Sequence, residues 1–254
     1  MARSGLARFR VAGWEAERPF WTLRLYIDAA EAGACLRAPQ RRGRSRSKPD
    51  RERSALEAAR RARGKIRRYC AANRLNRLGT LTYAGDGCHD ARRLRGDVGG
   101  FFRRLRGELG GEAFPYLWVP EWHPGGHGLH VHFAVGRFIR QSLIREAWSR
   151  GHVHIKLLGD LPVGSGSLEE ARLGARYLAK YAGKAIEDDR PLGLHRYEVA
   201  QGFNPLSVSC EGPTAEDVIL TASAVMGSEP SQVWHSSRDD GWQGPPVCWV
   251  AWTS

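Results

Sequence analysis

YLWVPEWHPGGHGLHVHFAV, residues 116–135, decides the reading of the fold. Tyr116 to Trp122 and Leu129 to Val135 are short runs of apolar, β-branched and aromatic residues, and the glycine-rich turn HPGGHG between them predicts two strands joined back to back. On the second strand His130 and His132 stand two apart, so both imidazoles project from one face while Val131 points to the other. A tight antiparallel pairing across the turn brings the Glu121 carboxylate beside them.

Outward from this hairpin the pattern alternates. Upstream, LGTLTY (Leu78 to Tyr83) is rich in strand formers and ends at the turn signal AGDG. Leu94, Val98, Phe101, Phe102, Leu105 and Leu109 then recur at helical spacing. Downstream come a helix over RQSLIREAWSRG and a strand over HVHIKLL. The order strand, helix, strand, strand, helix, strand is the split βαβ pattern. The expected fold class is therefore α+β: a ferredoxin-like antiparallel sheet with the histidine pair on a central strand and a tyrosine pair on a following helix. That helix, EEARLGARYLAKYAGKAI, opens at Ser167 and Glu170, which read as a capping box, and should end near Asp188 to Gly193. LHRYEVA reads as one more strand and TAEDVILTASAVMG as a late helix; the segment PPVCWVAW is left unassigned.

Charge divides the chain unevenly. Residues 37–68 carry fourteen Arg or Lys against three acids, whereas residues 203–254 carry six acids and one Arg. We read three segments: an N-terminal extension with a basic arm (1–73), a central catalytic domain (74–202) and an acidic, Trp-rich tail (203–254). The basic arm starts as a low-complexity loop and continues as a helix-like run with few apolar positions, suited to tracking phosphates, although a charge run also serves as a plain solvated face. The net charge of +12 favours a polyanionic partner.

Several classes are disfavoured. No stretch approaches 18 apolar residues, so no membrane span is expected, and the N-terminus does not read as a signal peptide. A cytoplasmic protein of a bacterial host cell is the expectation. Five scattered cysteines with no CxxC pair predict free thiols and neither disulfides nor a zinc ribbon. There is no GxxxxGK[ST] and hence no helicase motor.

Two constellations carry chemistry. His130 and His132 with Glu121 offer two nitrogens and one oxygen to a divalent ion, leaving positions open for water and a phosphate oxygen. His123 and His127, flanking the turn, compete as third ligands; His152 and His154 repeat the spacing without a carboxylate on an adjoining strand. The second constellation is YLAKYAGK, where Tyr177 and Tyr181 lie four apart on one helix face, with Lys180 and Lys184 on the same side. A tyrosine pair at this spacing is ordinarily packing. Here, however, two of the chain's only five lysines fall within the same turn and a half, in a sequence that otherwise uses Arg. A phenol with an ordinary pKa of about 10 needs nearby positive charge to act as a nucleophile at neutral pH, which fits transesterification at a metal-held phosphate.

At these residues the chain resembles the HUH endonucleases, named for His, a hydrophobic residue, His, and in particular the rolling-circle replication initiators of small phages and plasmids. LGTLTY is similar to the first motif, Glu121 with LHVHF to the second, and YLAKYAGK to the third in its two-tyrosine version, in the family's order from about Leu78 to Ile186. The resemblance implies Mg2+ or Mn2+ held by His130, His132 and Glu121, with Tyr177 and Tyr181 as nucleophiles and Lys180 as an auxiliary. It further implies nicking and joining of single-stranded DNA at a replication origin through a 5′-phosphotyrosine, in concert with a host helicase and replication machinery. Conjugative relaxases place the nucleophile before the histidines; here it follows. A two-tyrosine transposase, a non-catalytic nucleic-acid-binding module on the same scaffold, and a small metallohydrolase are the alternatives. The last leaves the paired tyrosines unexplained.

Overall fold

The computed structural model describes residues 8–11, 19–37, 51–156, 167–184, 195–242 and 244–253, with side chains for all of these except residues 51–53, 55, 183 and 184. In chain order the first elements are β1 (Arg8–Arg10), β2 (Phe20–Tyr26), β3 (Glu31–Arg37), α1 (Arg51–Ala72), β4 (Arg77–Tyr83) and α2 (Ala91–Glu108). The hairpin follows as β5 (Tyr116–Trp122) and β6 (Leu129–Val135), then α3 (Gln141–Trp148), β7 (Gly151–Lys156) and α4 (Ser167–Lys184). The chain continues through β8 (Glu198–Val199), β9 (Ser207–Gly212), α5 (Ala215–Met226), β10 (Gln232–His235) and β11 (Val247–Ala251).

These elements form two compact units, one of residues 49–204 and one built from both ends of the chain, 1–48 and 205–254. In the first, the sheet order is β7-β4-β6-β5-β8 and every neighbouring pair is antiparallel. With α2 joining β4 to β5 and α3 joining β6 to β7, this is the expected α+β, ferredoxin-like arrangement, and β6 lies between β4 and β5.

Strand alternation sorts the side chains onto two buried faces. Leu81, Tyr83, Trp118, Val131, Phe133 and Val153 pack with Phe101, Phe102 and Leu105 of α2 and Ile144 and Trp148 of α3. On the opposite face Leu78, Leu117, Val119 and Ala134 pack with Leu178 and Ala182 of α4 and with Ile66, Tyr69 and Cys70 of α1. The β5–β6 turn closes at Gly128, whose φ of +75° suits glycine and whose Cβ, were there one, would lie 2.4 Å from the Cys88 carbonyl oxygen.

The other unit has a six-stranded sheet, β1-β9-β2-β3-β11-β10, antiparallel except for the β1–β9 pair. Helix α5 packs on β9, β2 and β3. Its N-terminus is a reciprocal capping box between Thr214 and Asp217, and Gly227 ends it in the left-handed conformation.

Some expectations change. Segments read as an extension and a tail pair with one another, and the unassigned PPVCWVAW supplies β11, which joins β3 and β10. The helix of the basic arm belongs to the other unit, with Ala59, Ala62, Ile66, Tyr69 and Cys70 buried; residues 38–50 of the arm lie outside the described residues. Ser167 is the first residue of α4, and the Glu170 carboxylate accepts a hydrogen bond from the Asn76 amide. The helix end expected near 188–193 and the last two residues of HVHIKLL also lie outside the described residues. All five cysteines are free thiols. No helix among the described residues is long and apolar enough to cross a membrane.

Candidate metal centre and tyrosine pair

The register of the β5–β6 hairpin sets Glu121 directly opposite His130. His132, two residues on, emerges from the same face, and α4 packs over both strands. The two histidines are 5% exposed and the Glu121 side chain 10%. Glu121 Oε2 lies 3.0 Å from His130 Nε2 and 2.8 Å from His132 Nε2, and the two nitrogens are 3.0 Å apart.

Three lone-pair donors this close repel one another unless a proton or a cation lies among them. Nitrogen and oxygen ligands about 2.1 Å from one ion and at right angles to each other sit about 3.0 Å apart. The observed triangle has that size, so Glu121, His130 and His132 form a group that could hold a metal ion. The nearly buried carboxylate also calls for a compensating positive charge.

Thr80 on β4 pairs with His132 and its Oγ1 lies 3.1 Å from His132 Nδ1. With Nε2 turned toward the shared point, Nδ1 bears the proton and donates to the threonine hydroxyl, fixing the ring's orientation. His130 Nδ1, by contrast, is buried with no hydrogen-bond partner among the described residues.

The competing histidines go elsewhere. His127 Nε2 is 3.2 Å from the Tyr83 carbonyl oxygen, and His123 Nδ1 accepts a hydrogen bond from the Gly125 amide, its ring centroid 5.4 Å from that of His130. His152 and His154 lie exposed on β7 and pair with Thr82 and Thr80.

Helix α4 brings both tyrosines to the trio. The Tyr181 ring stacks on His132 with centroids 3.7 Å apart and planes 18° apart, while Tyr177 meets His132 edge-on at 6.0 Å. Tyr181 Oη donates to Tyr177 Oη at 2.8 Å. Burial pushes the Tyr181 phenol above its ordinary value, with the hydrogen bond to Tyr177 and the Glu121 charge adding in the same direction. Tyr181 is therefore a phenol, able to donate, at neutral pH.

The cation nearest this pair was not among the expected site residues. Lys156, at the end of β7, holds its Nζ 4.6 Å from the centroid of the Tyr177 ring. Lys180 is exposed, and the side chain of Lys184 lies outside the described residues. Lysine scarcity, which drew attention to Lys180 and Lys184, applies equally to Lys156; what hid it was its place on another element.

Residues 76–186 match a family of replication-associated proteins of the ORF2 type. The matched stretch begins one residue before β4 and takes in the hairpin, β7 and all of α4, so it contains Glu121, His130, His132, Tyr177 and Tyr181. This part of the chain is thus similar to replication-associated proteins. No curated protein and no solved structure matches the chain.

Proposed function

We propose that the chain is a rolling-circle replication initiator, a metal-dependent transesterase that nicks and rejoins single-stranded origin DNA. The observation that carries this reading is the placement of two hydrogen-bonded phenols against His132 of the Glu121–His130–His132 group. The match to replication-associated proteins over the same residues supports it.

A divalent ion, Mg2+ or Mn2+, held by Glu121, His130 and His132 would withdraw charge from the scissile phosphate. The chain's own part is positional. Thr80 orients the His132 ring, stacking on that ring orients Tyr181, and the bond between the phenols sets Tyr177. In the reaction a tyrosine oxygen attacks phosphorus and the bond to the 3′ oxygen breaks. The phenolic proton is released, the 3′ oxygen leaves as a hydroxyl, and a 5′-phosphotyrosine remains. The second phenol, adjacent to the first, supplies the nucleophile for a second cut, after which the free 3′-hydroxyl attacks the first phosphotyrosine and closes a circle.

The test is incubation with a labelled single-stranded origin fragment and Mn2+, followed by a denaturing gel. A protein-linked fragment that needs metal and disappears when both Tyr177 and Tyr181 are replaced by Phe is the expected result. Cleavage without an adduct would make the protein a metallohydrolase instead, and no cleavage would leave a binding module.

A further inference from the structure

Thr80 pairs on one side with His132 and on the other with His154, so the metal group and β7 share one face of the sheet with a single strand between them. At the usual strand spacing this places β7 about 10 Å from the column of the histidine trio. Strand β7 lies at the edge of the sheet, and its opposite face is taken up by α3 through Val153 and Ile155. On the side of the metal group it presents His152, His154 and Lys156, all exposed.

We propose that His152, His154 and Lys156 form a phosphate-binding track that guides the single strand of DNA past the metal group. The track rests on the function proposed above and names how that site takes its substrate. Alternate residues of a strand advance by roughly 6.8 Å, comparable with the separation of successive phosphates in an extended single strand, so three such side chains meet successive backbone groups in register. Neutral imidazoles donate N–H bonds to phosphate oxygens, and the lysine adds a full charge.

The track has a defined end. Lys156 reaches the Tyr177 ring and also lines a cavity of about 220 Å³ whose rim carries Arg77, Arg137 and Phe138. Phe138 is 72% exposed, an unusual state for a phenylalanine and a suitable one for stacking an unpaired base. Cations spaced along an edge, ending beside an exposed aromatic ring, match a single strand better than a duplex, whose bases are already stacked.

The experiment uses the full chain carrying Tyr177→Phe and Tyr181→Phe, so that binding is read without cleavage. A fluorescein-labelled oligothymidylate is titrated at several salt concentrations, with and without His152→Ala, His154→Ala and Lys156→Ala together. The triple variant should bind at least about 10-fold more weakly, with a salt slope reduced by about 0.7 for the phosphate that Lys156 neutralises. Its Mn2+ affinity and melting temperature should be unchanged, and binding to duplex DNA should fall less. Unchanged affinity and slope in a folded variant would overturn the track, as would an equal loss on duplex. Adduct formation by the unmodified chain is scored separately: if it fails while the triple variant still loses single-strand affinity, the track stands and the nicking reading falls.

Discussion

Thr80 shows how one hydroxyl on a neighbouring strand can govern a site it does not enter. It holds His132 Nδ1, and through that ring the stacked Tyr181. Replacing it by Val keeps the shape and removes the bond; we expect Mn2+ affinity to fall about 10- to 100-fold, measured by calorimetry, with little change in melting. Replacing His130 or His132 by Ala should abolish both Mn2+ binding and nicking while circular dichroism stays native. An inactive His152→Ala beside an active His132→Ala would move the metal to the other histidine pair. His130, His132 and Glu121 could be singled out from spacing alone, because strand alternation and one tight turn are local rules. Thr80 could not, since its partner lies 52 residues along the chain.

Helix α1 corrects the reading of the basic run. Its sequence hides its core face because Ala59 and Ala62 are small and only Ile66, Tyr69 and Cys70 look apolar, yet all five are buried at helical spacing. Those residues leave no room for a free arm there: Ile66→Ala should cost about 2–5 kcal/mol in urea unfolding. The charges remain available on the other side, where Arg60, Arg61, Arg63 and Lys65 are found. Changing these four to Gln should weaken single-strand binding and flatten its salt dependence without loss of stability. On α4 the same periodicity places the phenols together, so either single Phe variant should still form an adduct, and only the double variant should form none. Full multi-round circle production by Tyr177→Phe would return Tyr177 to a packing role.

Across the whole molecule, buried tyrosines set the alkaline limit of stability. Burial pushes the phenols of Tyr69 and Tyr83 well above their ordinary value, and the bond from Tyr83 to the Asp97 carboxylate, 2.9 Å long, raises Tyr83 further. A raised folded-state pKa means that the folded chain keeps protons which the unfolded chain loses first. Stability should thus be unaffected by these groups well below pH 10, where phenols ordinarily titrate, and should fall as pH rises above about 10. Urea midpoints measured from pH 8 to 11 check this; a midpoint that holds or rises above pH 10 would contradict it.

The sequence by itself determined the elements of the central unit, their order, and the residues of the candidate metal group, because helical and strand periodicities, turn residues and a short hairpin act over a few residues. Tertiary structure alone decided that the two ends of the chain share a sheet, in which Val250 pairs with Ala32 and Cys210 with Leu23. It alone also decided that Lys156 caps Tyr177 and that His152 and His154 share a face with the metal group. Pairing between distant strands depends on which apolar faces meet once the chain has collapsed, and no local pattern encodes that choice.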